Sequence, residues 1–168
     1  MTTPMPAREL YRYTLEETEH GRLDALAFFS PQDLEGLGGL PGRAILARMK
    51  DAEGTLEESN LEWNGAFLQL LHDVVRDTFP LLPELAQIEF SPEATHMYVR
   101  VTRPGRTSVS EAPEDVVGRF AVADGALVPD SYEAHPGFLP VTPEGLFIMH
   151  PDLERALLTH FTPAPPAN

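Results

Sequence analysis

Residues 59–80 read SNLEWNGAFLQLLHDVVRDTFP, and the spacing of their apolar positions decides the fold class. At 100° per residue, Leu61, Phe67, Leu68, Leu71, Val74, Val75 and Phe79 fall on one half of a helical cylinder. Glu62, Gln69, Asp73, Arg76 and Asp77 fall on the other. The pattern predicts a helix over about 60–79. Ser59 and Glu62 have the spacing of a capping box, in which each side chain satisfies an orphan backbone donor of the first turn, and Pro80 ends the run. Burying five or six such side chains contributes on the order of 10 kcal/mol before conformational entropy is subtracted, enough to organise a core.

On either side of this helix the period drops from 3.6 to 2. Tyr11, Tyr13 and Leu15 alternate with Arg12, Thr14 and Glu16; after a polar stretch through His20-Gly21, Leu23, Ala25, Ala27 and Phe29 alternate again. Two half-buried strands joined by a polar turn make a β-hairpin. Ser30-Pro31-Gln32-Asp33 then carries an N-cap, a proline in the first turn and an acid near the positive helix end. That helix is short, because Gly36, Gly38, Gly39 and Gly42 follow, and Ala44–Lys50 reads as a strand.

Downstream, Ile88 and Phe90, a turn at Ser91-Pro92, and then Met97, Val99 and Val101 read as a second hairpin, with His96, Tyr98, Arg100 and Thr102 facing the other way. Residues 104–118 read as a loop. Phe120 and Val122, the Asp124-Gly125 turn and Leu127 make a third hairpin, followed by a proline-framed loop over 129–143. Leu146–Met149 suits a buried strand. Pro151 opens a last helix in which Leu153, Ala156, Leu157 and Phe161 share a face. Hairpin, helix, hairpins and helix, without strand–helix alternation, define an α+β class: an antiparallel sheet with the long helix and the C-terminal helix on one side. One domain over 7–161 is expected, between disordered tails at 1–6 and 162–168.

The composition narrows the function. Asp plus Glu number 26 against 12 Lys plus Arg, a formal net charge of −14, and lysine occurs once, at Lys50. Such a surface repels phosphate backbones and anionic lipid, so neither a nucleic-acid nor a membrane partner is expected. With no cysteine, thiolate zinc sites, iron–sulfur clusters and disulfides are excluded. The absence of an apolar leader and of any long apolar run gives a cytoplasmic expectation.

Most motifs dissolve on inspection. Gly36 to Gly42 superficially suggests a phosphate loop, but Pro41 stands where the dinucleotide fingerprint needs a third glycine, and no Gly-Lys-Ser/Thr occurs. No serine sits in a Gly-x-Ser-x-Gly elbow. Glu17-x-x-His20 and Glu93-x-x-His96 have di-iron spacing, yet neither falls on an expected helix. His150-Pro151-Asp152 equals the tripeptide of J-domain co-chaperones; here it follows an apolar strand in an acidic chain, which speaks against that family. His72 lies at the edge of the long helix's apolar stripe, where a solvated role competes with that of a cleft-edge acid or base beside Asp73 or Asp77.

Asp130, Tyr132, Glu133 and His135, followed by His150 and Asp152, form the densest group of chemically capable side chains. His135, His150 and Asp152 are the candidate catalytic residues of a hydrolase or metal-assisted enzyme, on condition that their loops converge. Against that stands the leading expectation: a non-catalytic, acidic, adaptor or chaperone-like domain. It uses no cofactor or metal and binds a protein of basic character or a second copy of itself. Small secretion-type chaperones resemble it in size and acidity alone. An acidic mimic of nucleic acid is the third alternative, and it requires the acids to gather on one face.

Overall fold

The computed structural model describes residues 9–19, 21–104 and 111–161; the expected tails, His20 and part of the 104–118 loop lie outside the described residues. Four antiparallel strands form a first sheet in chain order: β1 (Tyr11–Thr18), β2 (Gly21–Ala27), β3 (Ile45–Met49) and β4 (Leu61–Trp63). The first two are the expected hairpin. On the edge strand β1 the register slips between Thr14 and Glu16, so Leu15 is an extra residue in a β-bulge. A bulge twists an exposed edge away from further pairing. After β2, the helix α1 (Pro31–Leu37) closes its capping box: Ser30 Oγ accepts from the Asp33 N–H at 3.1 Å, and the Asp33 carboxylate accepts from the Ser30 N–H at 3.0 Å.

The long helix starts later than its periodicity predicts. It is α2 (Gly65–Thr78), capped by Asn64 rather than by Ser59 and Glu62. Leu61–Trp63 pairs with β3 as β4, with Arg48 opposite Glu62 and Met49 opposite Leu61. Sheet bonds thus satisfy backbone groups that a longer helix would have used. Asn64 joins the two elements: its Oδ1 accepts from the Ala66 N–H at 3.2 Å, while its Nδ2 donates to the Ile45 and Gly42 carbonyls at 2.7 and 2.9 Å. The apolar stripe is as expected, with Phe67, Leu71, Val74, Val75 and Phe79 buried; Leu70 joins them and Leu68 is half-buried.

The second sheet corrects the sequence reading. Ile88–Phe90 does not pair with the following strand. Pro83–Gln87 winds into a 3-10 turn, and β5 (His96–Arg100) pairs with β6 (Val116–Ala123) instead. Two apolar residues between prolines cannot compete with an eight-residue strand that buries Val117 and Phe120. The expected loops therefore carry structure. Residues 113–115 form a 3-10 turn leading into β6, and β8 (Glu133–Ala134) and β9 (Val141–Thr142) lie within 129–143. β6 also pairs with β7 (Ala126–Leu127) across the expected turn, where Asp124 and Gly125 both have positive φ, 52° and 78°. β10 (Gly145–Leu146) pairs with β9, Ile148 bridges Thr102, and α3 (Pro151–Thr159) follows.

The class is thus α+β with antiparallel strands, divided between two four-stranded sheets and a two-stranded ribbon. One apolar cluster joins them. Phe28 and Phe29 at the end of β2 meet Phe161 beyond α3, Phe67 of α2 meets Phe147, and Phe79 stacks on Phe120 of β6 at 5.3 Å. Among the described residues, no helix is long and apolar enough to cross a membrane.

Candidate functional site

The open face of the second sheet is built by register. Tyr98 of β5 lies directly across from Arg119 of β6, which lies across from Glu133 of β8. Arg119 bonds the Glu133 carboxylate at 2.9–3.0 Å; that bond and a second to Tyr98 raise the pKa of its guanidinium. Tyr98 is 40% exposed, and the Arg100 guanidinium lies 5.3 Å from its ring centre. Tyrosine, amphipathic and cheap to order, and arginine are both residues that interfaces favour.

His135 lines a groove on this face together with Tyr98, Arg119 and Glu133. Its Nδ1 accepts the Gly137 N–H at 3.2 Å, which ties the ring to its own loop. His150 and Asp152 lie elsewhere, at the start of α3. His150 Nδ1 accepts the Asp152 N–H at 3.0 Å as the helix cap, so the proton of the neutral ring sits on Nε2, 3.4 Å from Glu84 Oε1. Glu84, His150 and Asp152 offer ligand atoms within 4.8 Å of one another. Binding a cation at Nε2 would move the proton to Nδ1, against the Asp152 N–H, and Asp152 is already 3.0 Å from Arg155. His150 and Asp152 are brought together, with Glu84 as the member sequence reasoning missed; His135 is not brought to them.

His72 of α2 and Tyr132 form a half-buried pair, with Nδ1 and the phenol oxygen 2.6 Å apart. Burial lowers the His72 pKa, against a smaller opposing effect of Asp73, and burial raises that of Tyr132. Both groups are therefore neutral near pH 7, and they share a single hydrogen bond between Nδ1 and the phenol oxygen. Tyr132 lies across Gly118 so closely that a Cβ there would stand 2.5 Å from its ring. A glycine inside a strand is the sequence signal for such an approach, obscured by reading residue 118 as loop. Of the remaining histidines, His96 of β5 meets Thr95 Oγ1 at 3.1 Å, and His160 ends α3 exposed.

Deeper still, Arg103 and Asp115 are both fully buried, Nε to Oδ1 at 3.0 Å. The same guanidinium donates to the carbonyls of Glu114, Leu139, Pro140 and Gly145. One side chain thereby fastens the two stretches that read as loops. No protein-family model matches this chain, and no curated protein or solved structure matches it either, so any functional reading rests on the geometry above.

Proposed function

We propose that this chain is a non-catalytic, cytoplasmic, adaptor- or chaperone-like module that binds a protein partner through the open face of its second sheet. One observation carries the reading. The Tyr98–Arg119–Glu133 row is regular and reaches solvent, whereas Nδ1 of each of the three histidines with catalytic potential is already engaged within the chain. His150 caps a helix, His135 closes its own loop and His72 meets Tyr132. A photo-crosslinking residue placed at position 98 in cells should yield a discrete adduct that the same residue at Gln32 on α1 does not. Absence of an adduct, or identical adducts from both positions, would overturn the reading.

The Glu84–His150–Asp152 trio favours a metal-assisted enzyme as the second reading. Titration with zinc decides between them. Micromolar binding abolished by His150→Ala would shift the balance to the enzyme, because a helix cap alone has no reason to bind zinc.

A further inference from the structure

The second sheet ends at β5, and the bonding pattern shows which backbone groups it leaves over. The Val101 N–H bonds Asp115 O, and the Thr95 carbonyl receives the Val122 N–H, both at 2.9 Å. Odd-numbered residues therefore face β6, and the alternation of an antiparallel ladder turns His96, Tyr98 and Arg100 to the opposite edge. Thr102 confirms the parity, for it exchanges both its bonds with Ile148 on that edge, at 2.8 and 2.9 Å. Extended chain continuing past Met149 would have brought residue 150 opposite Arg100. His150 instead caps α3 and Pro151 leads the chain away. Among the described residues, no backbone bond reaches the outer edge of 96–100.

The two sheet edges differ in a way that matters for pairing. β1 carries its own bulge at Leu15, whereas the register slip between β5 and β6 falls on β6, leaving β5 regular. We propose that the β5 edge over His96–Arg100 receives an extended acidic segment of a protein partner, added antiparallel as a further strand. This rests on the partner-binding reading above and specifies its ligand. A strand added there sets its side chains directly opposite His96, Tyr98 and Arg100 on one face and beside Met97 and Val99 on the other. Arg100 has no carboxylate partner among the described residues, and Arg119 stands one strand away. Acidic residues alternating with apolar ones match both faces.

Net charge opposes this ligand only at long range, since salt screens beyond about 8 Å at physiological ionic strength. A second copy fits worse, because β5 paired with itself about Tyr98 sets Arg100 opposite His96 with no acid between them. The preceding segment stays out of the sheet: Ile88 is 38% exposed, and its N–H bonds back to Leu85 O.

The test uses the full chain, labelled with nitrogen-15, and an acetylated, amidated heptapeptide alternating glutamate and valine. At saturation the peptide should slow amide exchange at His96, Tyr98 and Arg100 at least tenfold, with little change at Met97 and Val99, which already bond β6. Arg100→Glu, on an exposed position, should weaken the peptide about two- to fivefold, fivefold being the upper end of what one exposed charge pair contributes. Equal binding by the lysine–valine peptide, or by a glutamate–valine peptide N-methylated on its edge-facing amides, would sink the proposal. So would slow exchange at these three amides without peptide, the mark of an edge already covered by the chain or a second copy. A crosslinked partner at position 98 with no peptide binding rejects this inference and leaves the partner-binding reading standing; absence of both rejects the two together.

Discussion

Asp24 and Asp115 are both fully buried, but in different company. Asp115 meets a guanidinium as buried as itself, and Arg103 finds four carbonyls besides. Asp24, on β2, accepts through Oδ1 from Thr14 and from Arg22, while its Oδ2 has no hydrogen-bond partner among the described residues and lies 3.7 Å from Arg12. Arg22 and Arg12 are 36% and 43% exposed, so water screens what they offer. The difference is one of architecture. The first sheet is held by its ladders and apolar face, and its buried acid is incidental. The short strands around β6 are fastened, beyond their few ladder bonds, by a polar hub that joins Asp115 to four carbonyls.

Arg103→Met should have the largest effect. It takes a buried guanidinium away from the Asp115 carboxylate and from four carbonyls, a loss of about 3–5 kcal/mol and thus a large part of an ordinary domain's stability. Urea unfolding followed by fluorescence would measure it, and a loss below about 1 kcal/mol would abolish the contrast. Arg103→Lys should restore little, because an ammonium cannot span carbonyls on both sides of a planar fork. Asp24→Asn sharpens the contrast from the other side. It removes a partly compensated charge and keeps the shape, so the expected change is within about 1 kcal/mol. A cost matching that of Arg103→Met would show that the first sheet also depends on its buried ion.

The smallest effect belongs to the His72–Tyr132 pair, which is polar but uncharged. The His72 pKa is lowered in the folded protein, so the unfolded chain binds its proton first. Stability attributable to this group is therefore complete above the ordinary histidine pKa of about 6.5 and declines as pH falls from there toward the folded value. His72→Gln should flatten that part of the stability-against-pH curve. An unchanged slope in the variant would mean that another group drives it.

The residues that sequence reading located correctly share one property: their partners are close along the chain. The Ser30–Asp33 box, the Asp124-Gly125 turn, the stripe from Phe67 to Phe79 and the face of Leu153 and Leu157 all express local periodicity or capping. The errors involve competition at a distance. Ser59 and Glu62 have the spacing of a cap, but β3 claims the following residues first. Ile88–Phe90 has the look of a strand, but β6 outbids it from beyond residue 115. At the candidate site, Glu133 and His135 were singled out in sequence. The register that aligns Tyr98, Arg119 and Glu133 was not legible, and neither was the separation of His135 from His150.

Composition and periodicity by themselves determined the α+β class, the faces of the helices, the antiparallel hairpins β1–β2 and β6–β7 and the lack of thiolate chemistry. These follow from burial of apolar area and from turn stereochemistry, which act over a few residues. Only the tertiary structure decided that Arg103 is interior, that β5 ends a sheet with its outer edge open, and that His150 is a cap beside Glu84. Each depends on groups brought together from up to 66 residues apart, and the desolvation and bonding that fix them exist only once the chain has closed.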